Sequence, residues 1–334
     1  MRSRTARRLV LTVVWLLLFD RAVPPLLELA ERTHYESAAP FRFENSDLFG
    51  LGPLVDYLRE HPRHQRRRVV FFGNSMIFGY FLTPVQAIPA QFQKLQPEAR
   101  VYNAAVNGQE MGTSYLVGKA IFDSVDVIYV QVIGDKANEI LPSLIPVDDA
   151  DLRRFHLAAP NRTEARLQAW LGRAWRAYGL NYRMQAALFG TSTRVYLYMH
   201  KRDLARAFRV RTLQPAADSW APIAGHIALR APRACGAGLS PPLAGLSPPH
   251  MRSLKTDLAD LARSRGKRVV FIEFEWGGAR ADDAEAAAFN AAYAPFAETV
   301  IVTVPPDVTI DGQHPVPAAA AQIAEALARH EAQR

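Results

Sequence analysis

Brief apolar runs and longer stretches with helical spacing alternate along most of this chain. Val69 to Phe72, Val101-Tyr102, Val125 to Ile133, Val269 to Phe274 and Val300 to Val304 are rich in β-branched and aromatic residues and almost free of polar ones. That is the pattern of strands covered on both faces. Between and after them, Pro84 to Leu95, Met111 to Phe122, Leu254 to Arg265, Asp282 to Phe296 and Pro317 to His330 read as helices, with Pro84 near a first turn and Gly266 as a stop. Five strands alternating with helices predict an α/β fold built on a doubly wound, five-stranded parallel sheet. Ligands of such sheets gather beyond the carboxyl ends of the strands.

Two regions depart from the alternation. Between Leu141 and His250 it gives way to an insertion of about residues 141–250. Residues 161–208 look helical and carry Trp170, Trp175, Tyr178, Tyr182, Tyr196 and Tyr198, and residues 211–250 are rich in Pro and Gly. The insertion reads as packed over one side of the active-site edge, its aromatic stripe forming its own core rather than a sugar platform. At the other departure, Arg2, Arg4, Arg7 and Arg8 precede the uncharged run Leu9 to Phe19. This fits an N-terminal signal anchor with its basic end inside and the rest of the chain exported. Ala22 is followed by bulky Val23 and two prolines, a poor cleavage site; a cleaved signal peptide and a buried helix are the alternatives. The chain thus divides into a membrane segment at 1–29, a linker and lead-in at 30–65 with a short helix around Leu54 to Glu60, and a main domain at 66–334.

Composition adds limits. With 49% hydrophobic and 22% charged residues, the chain of 334 residues can bury a substantial core. The net charge of +8 rests mostly on scattered arginines. Runs such as Arg66-Arg67-Arg68 are short and lack interleaved aromatics, which argues against a nucleic-acid partner and for a solvated or membrane-facing basic surface. The lone Cys235 excludes an intrachain disulfide and a cysteine zinc site. His61 and His64 have metal-like spacing but no carboxylate cluster around them.

The chemistry-bearing residues follow the first and last strands. Phe71-Phe72-Gly73-Asn74-Ser75 sets a serine straight after an apolar run, and Asp311-Gly312-Gln313-His314 stands between the last strand and the last helix. A serine hydroxyl needs an imidazole to take its proton, and a carboxylate fixes the imidazole's tautomer. Both motifs fall on one edge of the expected sheet, so Ser75, His314 and Asp311 can form a triad. An α/β-hydrolase fits less well, since there is no Gly-x-Ser-x-Gly elbow and the acid stands too close to the histidine.

These blocks resemble those of the SGNH (GDSL-like) hydrolases, over roughly residues 68–140 and 254–330. Gly73-Asn74-Ser75 is similar to that family's Gly-Asp-Ser, with Asn74 in place of the aspartate, and Met76-Ile77-Phe78-Gly79 continues the pattern. Asn103-Ala104-Ala105-Val106-Asn107-Gly108 matches the second block, whose glycine N–H helps hold an oxyanion, so the resemblance assigns Gly108 to that role beside the N–H of Ser75. Asp311 to His314 matches the last block in full. The third block departs: where the family has Gly-x-Asn-Asp, this chain reads Gly134-Asp135-Lys136-Ala137-Asn138-Glu139. Lys136 stands at the asparagine's position, and Asn138 follows two residues later. Both are candidate oxyanion donors.

The resemblance implies a serine esterase or O-acyltransferase without a cofactor, acting on acyl, chiefly acetyl, esters of an envelope carbohydrate. Its setting would be a bacterial inner membrane, crossed once, with the catalytic domain on the periplasmic side. Two further readings are a weakly catalytic glycan binder or scaffold that partners a membrane acyltransferase, and a membrane-associated lipase or phospholipase.

Overall fold

The computed structural model of the chain describes residues 2–43, 48–62, 65–189, 228–230, 249–275 and 282–333. Most of the Pro/Gly-rich stretch, together with Tyr196, Tyr198 and His64, lies outside the described residues. Among those described, six strands run parallel: β1 (Phe41–Arg42), β2 (Arg67–Phe72), β3 (Ala99–Asn103), β4 (Val127–Gln131), β6 (Arg268–Glu275) and β7 (Ala297–Thr303). The short β5 (Ala228–Arg230) pairs antiparallel with β7, and the order across the sheet is β1-β3-β2-β4-β6-β7-β5. The expected five strands are thus the centre of a seven-stranded sheet. The two additional edge strands have two and three residues, too few for any period to register.

The five central strands follow the 2-1-3-4-5 order of a doubly wound sheet. The chain steps from β2 to β3 in one direction and then crosses back past β2 to β4. Right-handed crossovers put the two connecting helices on opposite faces. These helices are α4 (Ile88–Leu95), which packs with α12 (Pro317–Ala332), and α5 (Met111–Ile121), which packs with α2 (Leu51–Glu60) and α10 (Pro249–Arg265). The expected helix from Pro84 is divided: a 3₁₀ turn at Pro84–Gln86 comes first, and Ala87 is extended before α4 starts with Pro89 in its first turn. Between the layers the middle strands are fully buried, and Phe71 stacks on Tyr129 with ring centroids 4.5 Å apart.

A charged cluster lies between the sheet and α12. Arg268 donates to Glu298 (2.5 Å) and to Glu331 (2.6 Å), Arg67 also pairs with Glu331, and the buried Tyr129 hydroxyl donates to Glu331 at 2.8 Å. His330 reaches Glu298 at 3.0 Å. Burial lifts the Glu331 carboxyl, but Arg268 and Arg67 outweigh it and hold the group below its ordinary range; Glu298 is held down in the same way by His330 and Arg268.

The N-terminal helix α1 runs unbroken through Arg2–Glu36, past the expected boundary near residue 29. Leu9 to Phe19 are exposed, but Val23, Leu27, Glu31 and Tyr35 are buried at four-residue spacing, one face of a helix seated on the domain. Its carboxyl end, where an isolated helix leaves carbonyls without partners, is held by Arg100 of β3: the guanidinium donates to Tyr35 O (2.8 Å) in the last turn and to Ser37 O (2.8 Å) and Ala39 O (3.2 Å) just beyond it. Glu36 accepts from the Tyr102 hydroxyl at 2.5 Å and from Arg68 at 3.4 Å. The segment expected as a linker and lead-in therefore contributes to the core through Tyr35, Phe41, Phe43, Leu51, Leu54 and Leu58.

Removing the Glu331 carboxylate takes the partner of Arg67 and of the buried Tyr129 hydroxyl and leaves Arg268 with Glu298 alone. Glu331→Ala is expected to cost about 3 kcal/mol of stability, read from denaturant titration of the detergent-solubilised chain. The lowered carboxyl pKa also fixes a sign: its contribution is complete above the ordinary value of 4.5 and fades as pH falls below that. Glu331→Ala should therefore flatten the acid limb of the stability–pH curve.

Candidate active site

In a doubly wound sheet the binding crevice is expected where the winding reverses, here beyond the carboxyl ends of β2 and β4. The turn after β2 lies there. Asn74 has extended backbone and caps the short helix α3 (Ser75–Phe78), its side-chain oxygen accepting the Met76 N–H at 3.0 Å. Ser75 is thereby the first helical residue, half-buried at the crevice's edge. Gly73 is demanded by close packing: a Cβ there would lie 2.6 Å from Gln131 Oε1 and 2.7 Å from Ile77 Cγ1.

The last β–α connection brings up the partner residues. Thr309 bridges to Pro315, and the Ile310 N–H donates to His314 O at 2.7 Å, folding residues 308–316 into a tight loop ahead of α12. Within it Asp311 Oδ1 accepts the N–H groups of Gln313 (3.1 Å) and His314 (2.9 Å). Its other oxygen, Oδ2, meets His314 Nδ1 at 2.7 Å, and His314 Nε2 lies 2.8 Å from Ser75 Oγ. An ionised carboxylate only accepts, so Nδ1 carries the proton and Nε2 is left to accept from the serine hydroxyl. Burial lifts the Asp311 carboxyl, but the donors from His314 and Gln313 outweigh it and hold the group below its usual range. An anionic Asp311 thus fixes the imidazole's tautomer and ring plane at once. This arrangement can draw a proton from Ser75 and return it to a leaving group.

The four oxyanion candidates fare differently. Among the described residues, the N–H groups of Ser75 and Gly108 have no partner. Gly108 is exposed, with a positive φ of 71° and open space around its Cα, and the Val106 N–H donates to Gly73 O at 3.1 Å, tying its loop to the serine turn. Asn138 is engaged elsewhere: the Thr113 hydroxyl of α5 donates to its side-chain oxygen at 2.6 Å, and its own N–H donates back to Thr113 Oγ1 at 3.0 Å. Lys136 is exposed, its N–H donating to the Glu110 carboxylate at 2.9 Å. It lines a cavity of about 360 Å³ with Arg154, His156 and Glu139 that no triad residue borders. No described contact joins Lys136 or Asn138 to Ser75 or His314.

Several residues that shape the site carry no motif of their own. Gln131, fully buried at the end of β4, accepts the Asn74 N–H at 3.1 Å across the reversal point. Asn103, at the end of β3, donates to the carbonyls of Ile77 (3.1 Å) and Phe78 (3.4 Å), closing the serine helix from behind. Their only sequence signal is one polar residue ending an apolar strand. Tyr80 and Phe81, 50% and 46% exposed, stand beside the imidazole with ring centroids 5.8 and 5.1 Å from His314. Elsewhere, His61 turns Nδ1 to its own helix at Tyr57 O (2.9 Å), and no group of three potential metal ligands occurs among the described residues.

A fluorophosphonate probe should label Ser75 of the folded chain. Ser75→Ala and His314→Ala should abolish labelling, and Asp311→Asn should slow it by roughly 10⁴-fold through loss of the tautomer, all read by gel fluorescence against time. Comparison with family models, with curated proteins and with solved structures returns no match for this chain, so its resemblance to the SGNH hydrolases rests on the blocks around Ser75, Gly108, Gly134 and His314.

Proposed function

We propose that this chain is a membrane-anchored serine esterase or O-acyltransferase of SGNH type that carries an acyl group, chiefly acetyl, to or from an oxygen of an envelope carbohydrate. The observation that carries the reading is the continuous chain of hydrogen bonds from Ser75 through His314 to Asp311. In the reaction Ser75 Oγ attacks the acyl carbonyl while its proton passes to His314 Nε2. The carbonyl oxygen, now negative, is met by the N–H groups of Ser75 and Gly108. Collapse expels the alcohol, which takes the proton from the imidazolium and leaves the acyl group on Ser75. Water then gives an esterase and a sugar hydroxyl gives a transferase, since the acyl-enzyme is common to both.

The Tyr80–Phe81 pair supports a carbohydrate. Two exposed rings beside the imidazole offer an apolar wall to the flat face of a sugar, while the hydroxyls stay free to approach Ser75. The exposed apolar run of α1, with arginines before it, supports anchoring with the catalytic domain outside the cytoplasm. A second reading, a weakly catalytic glycan binder or scaffold for a membrane acyltransferase, is favoured by one observation: Asn138, the remaining asparagine of the third block, turns its side-chain oxygen to Thr113 and has no described contact with Ser75 or His314. Loss of a side-chain oxyanion donor typically costs about 10²–10³ in turnover.

Incubation with an activated acetyl ester should leave one acetyl group on the peptide that carries Ser75, seen by mass spectrometry, and none in Ser75→Ala. Retained acetyl turnover in Ser75→Ala would falsify the reading, whereas normal polysaccharide modification in cells carrying Ser75→Ala favours the scaffold. Phe81→Ala should raise KM for a carbohydrate acceptor about tenfold, the equivalent of about 1.4 kcal/mol of lost apolar contact. Its fluorophosphonate labelling rate should stay unchanged.

A further inference from the structure

The uncharged run of α1 is too short to cross a bilayer by itself. Leu9 to Phe19 is eleven residues, about 16 Å of helix at about 1.5 Å per residue, against a hydrocarbon layer of about 30 Å. The 18-residue stretch that is apolar enough on average to span lies within Ala6–Glu36 and is almost wholly exposed, but it includes the charged Asp20 and Arg21. Directly after the run, the Ala177 N–H donates to the Asp20 carboxylate at 2.8 Å. Phe19 lines a cavity of about 370 Å³ with Trp175, Tyr178, Met184, Leu188 and Phe189. These residues belong to or flank α8 (Arg176–Gly179) and α9 (Asn181–Phe189), both packed on α1. The attachment is firm: Arg183 of α9 makes two bonds to the buried Glu31 (2.7 and 2.6 Å) and one to Glu60 of α2 (2.6 Å). The aromatic helices therefore begin at the level of α1 where its uncharged run ends.

The preceding helix, α7 (Arg162–Ala174), has no buried residue in 13. Leu167, Trp170, Leu171 and Ala174 nevertheless share one face by helical spacing, with Leu167 54% and Trp170 58% exposed. Arg162, Arg166 and Arg173 line that face's flank, and Arg176 follows. Leu171 is half-buried where α8 packs on α7, while Leu167 and Trp170 stand exposed. An amphipathic helix with tryptophan on its apolar face and arginines at its edge is suited to a headgroup layer, where the rings settle at the acyl boundary and the guanidinium groups reach phosphates.

We propose that α7–α9 form a collar embedded in the bilayer surface around the base of α1. Leu167 and Trp170 would sit at the acyl boundary and Trp175 and Tyr178 at headgroup level, on a leaflet rich in anionic lipid. The collar adds apolar contact with the bilayer where Asp20 and Arg21 interrupt the run of α1. This inference rests on α1 entering a membrane and is independent of the chemistry at Ser75.

The test uses the full chain in vesicles of phosphatidylcholine and phosphatidylglycerol whose acyl chains are brominated near the headgroup or near the chain end. Subtracting Trp170→Phe and Trp15→Phe from wild type isolates each residue's fluorescence. The Trp170 share should be quenched about twofold or more by the shallow bromines, less by the deep ones, and left untouched by aqueous iodide. Iodide reaching Trp170 without lipid quenching overturns the collar, as does a Trp170 share shielded from both quenchers, which would mean that protein covers the face. A Trp15 share untouched by bromolipid overturns the anchor and the collar together. Trp15 quenched with Trp170 unquenched overturns the collar alone.

Discussion

Right-handedness of parallel crossovers constrains everything at this site. Because the chain leaves β2 in one direction and returns past it to reach β4, no connection can cover the carboxyl ends of these two strands. The backbone groups released there need partners, and Gln131 provides one by accepting the Asn74 N–H across the gap. That bond holds open a turn whose next residue is Ser75. Asn103 secures the far end of the same short helix, so the serine is gripped by the ends of two neighbouring strands. The 308–316 loop then has only to bring an imidazole within reach.

Two ionic clusters do for the frame what these amides do for the turn. Arg268, Glu298, Glu331 and Arg67 bind the sheet to α12, the helix that the histidine loop feeds into. Arg100 and Glu36 bind α1 to β3. In both places a half-buried charge is offset by several partners, which makes each cluster costly to break one member at a time. The first cluster holds the far end of α12, whose first turn follows the loop that brings His314 to 2.8 Å from Ser75.

The parts legible in the sequence were those whose signal is local. Five apolar strands announced themselves because each is covered on both faces. Ser75 stood out because it closely follows such a strand, and the Asp311–His314 turn because it stands between the last strand and the last helix, where one turn of backbone suffices to join the carboxylate to the imidazole. What was hidden depends on contacts between distant segments. Asn138, a candidate oxyanion donor, has its side-chain oxygen and its backbone N–H tied to Thr113, 25 residues earlier, a contact that no motif announces. Gln131 and Asn103 act only across strand neighbours. Tyr80 and Phe81 gain meaning from the ring of His314 beside them. The membrane segment was expected to end near residue 29, and Pro24-Pro25 remove the donors that would serve the carbonyls of Asp20 and Arg21. The helix continues because its buried face, Val23 to Tyr35, is held from outside by α8, α9 and Arg100.

That continuity has a consequence for reach. The helix passes from its exposed apolar half to the sheet without a joint, and its weakest turn is braced by Ala177 on Asp20. If the apolar half stands in a bilayer, the serine travels at one altitude above it, like a reading head on a rigid arm. Search is then over an area instead of a volume, and on the proposed reading only acyl groups presented in that stratum are ever met. Selectivity would be set by elevation before any side chain touches the substrate.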